Sequence, residues 1–502
     1  MSRLHSLEAL DRMKSYRVGR IEGRWENFVP PIQGGTFRRK EEQEMEEKGR
    51  STPLQRSDSE SSLSDEPSPI FEASGSNGVR CRHGQASDTS SISSMEIEEP
   101  KMSHLDMRTK EEIRLDQEIY PPLDHETQDE IVRKYRLLNE RIKAEGLYQC
   151  NYYAYGVECM RYASLFIASQ LFLRWGWSME GWAATTCYIL SATCLGLFWH
   201  QLTFTAHDAG HMGITHNFHV DTLIGIFVAD FIGGLSIGWW KRNHNVHHIV
   251  TNAPEHDPDI QHMPFFAITH RFFEDLRSTY YDRVLTYDAV AQFTLRMQHY
   301  LYYPLLCFGR FNLYRLSWEY LLTGQAPSKG PAWWHRYVEI VGQVTFWIWF
   351  GYGILYRSLP TRGDILIYTL VSHLVAAPVH LQIVLSHFAM STADLGVHES
   401  FPQKMLRTTM DVDCPAWLDF VHGGLQFQVI HHLYPRIPRH NLRRTQGMVQ
   451  EFCEDVGIPY ALYGFADGNR KVVGRLADVA RQAAILRQCQ RSMVEKGDYH
   501  MH

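Results

Sequence analysis

Thr205-Ala-His207-Asp-Ala-Gly-His211 closes an apolar run that begins at Trp182, and this junction governs how the whole chain is read. The run has about the length needed to cross a hydrocarbon core, roughly 20 residues. Two further clusters also sit beside apolar sequence, His244-Asn-Val-His247-His248 and Gln428-Val-Ile-His431-His432. If each cluster is helical, His207 and His211 lie on one face about 6 Å apart along the axis, and His244, His247 and His248 also share a face. Seven imidazoles exceed the roughly four ligands that one zinc takes, but they suffice for two metals with open positions. Imidazole suits iron as well as zinc or copper. A single H-x-x-x-H is as often a chance pair on a helix surface, and a lone histidine is usually structural. Three dense clusters at the ends of apolar runs, where polar residues are costly unless used, point instead to one metal site.

The averages suggest a soluble protein: 21% of residues are charged, the net charge is −6 and the mean hydropathy is −0.30. They hide a division. Residues 1 to about 144 are polar and charged, whereas about 153–388 carry nearly all the long apolar runs. The clearest spanning candidates are Trp182 to Phe204, Tyr337 to Tyr356 and Ile365 to Leu385. Tyr153 to Leu173 is a weaker one because it contains Glu158 and Arg161. Leu223 to Trp240, with Asp230, Gly233 and Gly234, suits an interfacial or re-entrant helix. Tyr300 to Tyr314 is short, rich in Tyr and Phe, and reads as interfacial.

The expected fold is therefore all-α and membrane-integral, with about four transmembrane helices in two hairpins, interfacial helices, and a cytosolic helical cap holding the histidine site. An even number of crossings between His211 and His431 keeps all three clusters on one side. Lys241, Arg242, Arg436, Arg439, Arg443 and Arg444 fall on that side, which the positive-inside tendency makes cytosolic. Trp175, Trp177, Trp182, Trp239, Trp240, Trp333 and Trp334 stand where interface anchors or core aromatics are expected. The nine cysteines lack C-x-x-C spacing and read as reduced packing residues. No cleavable signal peptide is evident at Met1, so the first crossing is expected to direct insertion. No nucleic-acid partner is expected.

From about Arg50 to Glu99 the chain is rich in Ser, Asp, Glu, Pro and Gly, too poor in apolar surface to offset its ordering entropy, and disorder is expected. Its serine runs are either phosphorylation sites or a plain solvated linker. Asp124 to Lys143 has amphipathic helical periodicity after Pro121 and Pro122, and Val472 to Leu486 reads as a packing helix.

Longer motifs carry more information than the clusters alone. They are Thr205 to His211, Trp240-Lys-Arg-Asn-His244-Asn-Val-His-His248, Asn252-Ala-Pro-Glu-His-Asp-Pro-Asp-Ile-Gln-His262 and Gly423-Gly-Leu-Gln-Phe-Gln428-Val-Ile-His-His-Leu-Tyr-Pro-Arg436. On these the chain, from about Leu147 to Gly464, resembles the membrane fatty-acyl and sphingolipid desaturases. Within them it is similar to the front-end group, in which glutamine replaces the first histidine of the third box, and most like the fungal sphingolipid Δ8-desaturases. The resemblance implies two irons held by His207, His211, His244, His247, His248, His431 and His432, with His387 added from a position where related desaturases carry a further histidine. It leaves Gln428 as a weak oxygen ligand, a neighbour of the ligands, or an amide satisfying backbone. Asp208, Asp257 and Asp259 are candidates to accept ring N–H bonds from ligating histidines, with ordinary caps or turn acids as the rival reading. His216, His219, His256, His262, His422 and His440 are left as structural or neighbouring groups.

The front-end group usually carries an N-terminal cytochrome b5 domain with His-Pro-Gly-Gly, a motif this sequence lacks. Leu4 to Arg20 resembles the closing segment of that domain, with His5 at its second haem ligand. So few residues cannot make a haem pocket, and haem is not expected in this chain. The organisation expected is 1–25 as that remnant, 26–110 as disordered Ser/acidic linker, 111–146 as amphipathic lead-in, 147–470 as desaturase domain and 471–502 as C-terminal helix and tail.

Removing hydrogen from an unactivated methylene is beyond any side-chain base, so an O2-dependent metal centre is required. The resemblance implies electrons from NADH through cytochrome b5 reductase and cytochrome b5, an endoplasmic reticulum membrane location, and a ceramide, sphingoid-base or acyl-lipid substrate. Lys241 and the basic run Arg436 to Arg444 are expected either to dock the acidic cytochrome or to form a solvated or headgroup-facing surface. The rivals to a Δ8 sphingolipid desaturase are a Δ5 or Δ6 acyl-lipid desaturase, a membrane lipid hydroxylase and a non-enzymatic scaffold.

Overall fold

The computed structural model describes Met13, residues 104–396 and residues 399–496. The chain divides into two units, of which Thr36–Ser103 lies outside the described residues. So do the segment around His5 and the serine-rich linker up to residue 103. The lead-in is two helices, α1 (His104–Ile119) and α2 (His125–Ala144). The first residues of α1 therefore fall within the stretch 26–110 expected as linker. Pro121 and Pro122 separate the two helices, since proline lacks the N–H that a helix interior needs and biases the preceding residue away from helix. Helix α2 starts on Asp124, whose side chain accepts from Thr127 N, and buries Ile131, Tyr135, Leu138 and Ile142. Helix α1 buries no residue and was invisible to apolar periodicity. Charged contacts hold it instead: Asp116 to buried Arg407 at 3.0 Å, and Glu112 to Arg475 at 3.2 Å.

Two long helices follow, α3 (Tyr152–Trp177) and α4 (Gly181–Gly210), packed side by side. Helix α5 (Phe218–Ile232) then meets α6 (Ile237–Val250) at a bend of 119°. Helices α7 (Gln298–Cys307) and α8 (Gly309–Leu322) replace the single interfacial segment expected at Tyr300 to Tyr314 and meet at exposed Phe308. Helix α9 (His335–Tyr356) and α10 (Arg362–Leu385) come next, the latter interrupted at Ala377 and Pro378.

Among the described residues three helices, α4, α9 and α10, are long and apolar enough to cross a membrane, or up to four if the bent pair counts as one span. Helix α3, expected as the first crossing, is long enough but does not join that group. Their shared core is aromatic: Trp199, Phe346, Phe350 and Tyr368 are almost wholly buried. Trp182 and Trp177 remain exposed, as membrane-interface anchors would.

The 119° bend has an identifiable cause. Gly234 has φ +69°, and a Cβ there would meet the Phe346 ring at 2.4 Å. Beyond it, Ser236 caps α6 by accepting from Trp239 N at 3.0 Å. Glu339 accepts from Gly238 N at 3.0 Å, and Asp230 from Ile237 N at 3.3 Å. Three oxygens thus satisfy the N–H groups that a helix start leaves unpaired, which lets α6 begin inside the protein.

Toward the C-terminal end of the described chain come α11 (Phe401–Thr408), α12 (Gln428–Leu433), α13 (Leu442–Val456) and α14 (Phe465–Lys496). Tyr135 of α2 stacks on Tyr434 at 5.2 Å and donates to Leu433 O at 2.7 Å. The amphipathic stretch Val472 to Leu486 lies within α14, so the expected boundary at 470/471 falls inside one helix. Val472 and Leu476 pack against Phe388 and Met410. Strands are few and short: β1 (Leu276–Ser278) pairs antiparallel with β2 (Arg283–Leu285), and β3 (Asp411–Asp413) parallel with β4 (Leu462–Gly464).

Two stability predictions follow from these contacts. Gly234→Ala adds a left-handed backbone penalty to a ring clash and is expected to cost about 2–4 kcal/mol, read as a lower unfolding midpoint in detergent. Asp411 accepts from Val429 N at 2.8 Å at the start of α12, and burial pushes its carboxyl up to about 7. Because its ordinary value is 3.8, the folded chain keeps a proton that the unfolded chain has released over that interval, and stability falls as pH rises through it. The unfolding midpoint should drop between about pH 4 and about pH 7, and Asp411→Asn should flatten that drop.

Candidate metal centre

Four chain segments deliver imidazoles to one place. The last turn of α4 supplies His207 and His211, α6 supplies His244, His247 and His248, α12 supplies His431 and His432, and the turn after α10 supplies His387. They fall into two groups. The ligand-capable nitrogens of His207, His211, His244 and His431 lie within 4.8 Å of one another, and so do those of His247, His387 and His432. His248 stands between the groups, its ring 4.7 Å from His431 and 4.2 Å from His432. All eight are buried except His207, which is partly exposed.

This donor set fits metal ions. His211 Nε2, His248 Nδ1, His387 Nδ1, His431 Nε2 and His432 Nε2 are buried without a hydrogen-bond partner among the described residues. An unpaired buried polar atom costs about 1–3 kcal/mol, and five in one spot is a penalty that ligation would remove. Two clusters of three or four neutral imidazoles match the number a transition metal takes while leaving positions open.

Carboxylates address part of the set. Asp257 accepts from His247 Nδ1 at 2.8 Å, and Asp259 faces His244 Nδ1 at 3.2 Å. With those ring nitrogens carrying protons, the opposite nitrogens are left as donors to a metal. Asp257 also accepts from Asn252 N at 2.8 Å and Asp259 N at 2.9 Å, so one buried carboxylate fixes the loop as well as the ring. Asp259 is within reach of His244 and His247 as a possible ligand itself. Asp208 lies farther off, 3.9 Å from His207 Nδ1, and its carboxylate takes bonds from Arg439 and Tyr155. Gln428, the first residue of α12, is buried with its amide beside His387. Of the histidines left out of the site, His216 bonds Met212 O and Tyr148 O, and His440 bonds Glu158.

Further residues surround the histidines without having been assigned to the site. Trp240, read as an interface anchor or a core aromatic, stacks on His244 at 4.4 Å and lies 5.2 Å from His211. Gly210 makes room for it, since a Cβ there would meet the indole at 2.1 Å. Thr251 Oγ1 lies 3.2 Å from His432 Nδ1. Asn252 Nδ2 donates to His387 O at 2.9 Å, tying the end of α6 to the turn that carries His387.

The basic run needs correction. Arg439 was expected on a docking, solvated or headgroup-facing surface, yet it is 7% exposed and bonds Asp208, Glu158, Phe204 O and Thr205. It cannot meet a partner, because it neutralises two buried carboxylates and joins α3, α4 and the chain after α12. Arg443 pairs with Asp419 and Arg444 with Glu145, while Lys241 donates to Thr222 and lies over the Phe218 ring.

With this geometry in place, comparison with known proteins is informative. The sequence profile described as fatty acid desaturase matches residues 180–464, which include every histidine of the cluster. The chain is 61% identical over 500 residues to a protein of Emericella nidulans named Delta 8-(E)-sphingolipid desaturase, covering 99% of this chain and 88% of that one. A protein of Kluyveromyces lactis with the same name is 46% identical, covering 98% of this chain and 86% of the relative. A more distant relative, the Acyl-lipid (9-3)-desaturase of Borago officinalis, is 34% identical, covering 70% of this chain and 76% of its own length. A histidine-rich, buried, metal-ready cluster at the ends of apolar helices and a profile match across more than half the chain agree: the protein belongs to the fatty acid desaturase family.

Proposed function

We propose that the chain is an O2-dependent desaturase that places a double bond at Δ8 of the sphingoid base of ceramide, using two irons. The carrying observation is the convergence of eight imidazoles into two adjacent groups, with five ring nitrogens unpaired. The names of the relatives from Emericella nidulans and Kluyveromyces lactis support the choice of substrate.

His207, His211, His244 and His431 would hold one iron and His247, His387 and His432 the other, with His248 between them and Gln428 beside the second group. Irons bound there supply the oxidising power, drawn from O2, that breaking an unactivated C–H bond requires. Asp257 and Asp259 keep His247 and His244 in the tautomers that leave their outer nitrogens free. Arg439 keeps Asp208 in place next to His207. Trp240 and the aromatic core beneath the cluster exclude water and align an alkyl chain. Overall, two hydrogens leave adjacent carbons and, with O2, two electrons and two protons, yield an alkene and two waters.

In this reading α3, α4, α9 and α10 cross the membrane as two hairpins. The cluster then faces the cytosol of an endoplasmic reticulum membrane, where cytochrome b5 and its NADH-dependent reductase supply electrons. Residues 1–25 correspond to the closing part of a cytochrome b5-like domain, with His5 at its second haem-ligand position, 26–110 to a linker whose last residues open α1, and 147–470 to the desaturase domain.

Expression in a yeast lacking its own Δ8-desaturase, followed by lipid mass spectrometry, tests the assignment. The expected product is a ceramide two hydrogens lighter with its new bond at Δ8, formed more abundantly when cytochrome b5 is co-expressed and absent in His247→Ala and His431→Ala. Unsaturation confined to acyl lipids would replace the substrate assigned here. Products heavier by oxygen would make the protein a hydroxylase.

A further inference from the structure

Helix α4 carries its own measure of bilayer thickness. Trp182, 89% exposed at its start, stands where a headgroup-level tryptophan would. Gln201 follows nineteen residues later, about 28 Å along the axis and close to the roughly 30 Å of a hydrocarbon core. Helix α10 repeats the spacing, with twenty residues from Arg362 to Gln382. Gln201 and Gln382 therefore mark the second edge of the hydrocarbon, and His207 stands about 9 Å beyond it along α4.

A distant stretch of chain is fixed at that level. Between α11 and α12, Ala416–Leu418 and Asp419–His422 form two short helical turns. Gln201 donates to Phe420 O at 2.8 Å and Gln382 to Val421 O at 3.1 Å, so two apolar helices hold adjacent carbonyls. Trp417 is nevertheless 71% and Phe420 46% exposed. Large aromatics left uncovered at the edge of the hydrocarbon are placed as interface anchors are.

Arg161 of α3 completes the group. It donates to Gln201 Oε1 at 2.8 Å, and its Cζ lies over the Phe420 ring, 4.8 Å from the centroid. The side chain is partly exposed. No carboxylate among the described residues pairs with it, since Glu158, one turn earlier, is taken by Arg439 and His440. Gln201 and the ring orient the guanidinium while its other N–H donors stay uncommitted. A cation at the edge of a hydrocarbon layer is costly without an anion, and the planar fork of an arginine matches a phosphate. Met160 and Ile167, both exposed, continue an apolar surface along α3 next to it.

We propose that Arg161, Gln201 and the turn carrying Trp417 and Phe420 form a phospholipid site on the outer surface of the protein. The guanidinium binds the phosphate of a lipid in the leaflet on the cluster side, and the two aromatics lie among its upper acyl carbons. The site holds a lipid of the surrounding bilayer rather than the one that is oxidised. It requires only that α4 and α10 cross the membrane.

Two measurements on the full chain test it. In nanodiscs of phosphatidylcholine brominated near the headgroup end of its acyl chains, the emission lost on Trp417→Phe isolates that residue. This component should be quenched by the bromines and shielded from aqueous iodide. The component lost on Trp182→Phe should also be quenched by the bromines, from the opposite leaflet. In detergent, native mass spectrometry with added phosphatidylglycerol should show a lipid adduct whose Kd rises about tenfold in Arg161→Gln, the loss of one charge-assisted contact. Arg161→Lys should show a smaller rise, because it keeps the charge but not the fork. A Trp417 component reached by iodide and untouched by bromolipid would overturn the site while leaving the crossing of α4 in place. A component shielded from both quenchers, as beneath a second copy or a protein partner, would overturn it equally. Unchanged adduct affinity in Arg161→Gln would remove the phosphate contact, and a Trp182 component untouched by bromolipid would overturn the crossing and the site together. Trp417→Phe alters an exposed side chain, so the quenching result decides the matter even where Arg161→Gln does not accumulate.

Discussion

Eight imidazoles packed at ring separations of about 4–6 Å, with much of their hydrogen-bonding capacity unmet, are the constraint around which the described part of this protein is organised. Such a cluster opposes folding unless something ligates it, because each buried nitrogen has left water without finding a partner. The surrounding structure holds the cluster together from four separate segments. Helix α6 can start inside the protein because Ser236, Asp230 and Glu339 cap it, and it can turn there because Gly234 fits against Phe346. Helix α12 is held at its start by Asp411, and the His387 turn is held by Asn252. Each support acts on a helix end or a turn, where an unpaired backbone group would otherwise be buried.

Charge is used inside the protein rather than displayed. Arg439 joins Asp208 and Glu158, and Arg407 joins Glu399 and Asp116, both arginines being almost fully buried. Removing one partner from such a pair leaves an uncompensated buried charge, which costs more than the pair contributes. These networks therefore tie α1 to α11 and α3 and α4 to the chain after α12, and the Arg439 network does so at Asp208, the residue next to His207.

Much of the site was legible in the sequence for a simple reason. The spacings in His207–His211 and His244–His248 are helical, and a helix end beside an apolar run is where a membrane protein can assemble a polar site. His387 needed a family resemblance, since a lone histidine has no periodicity to announce it. Trp240 was left between an interface anchor and a core aromatic, and Arg439 was misread as surface because its position in a basic run suggests exposure, while the actual partners of both are set by packing. Asp208 and Arg439 are 231 residues apart in sequence. Helix α1 escaped because it buries no apolar face, and charge pairs across hundreds of residues leave no local pattern. The 119° turn falls where Asp230, Gly233 and Gly234 suggested an interfacial or re-entrant helix, although the acid-capped start of α6 was not legible there.

The claim on which the account stands is that this cluster holds two irons. Metal analysis of active, detergent-purified protein, with iron measured per polypeptide against zinc and copper, addresses it most directly. The account predicts two irons per chain, falling in His207→Ala and in His432→Ala, one from each group, while Lys404→Ala outside the cluster keeps the full complement. Active enzyme that contains no iron, or that keeps two irons after both groups are disrupted, would contradict it.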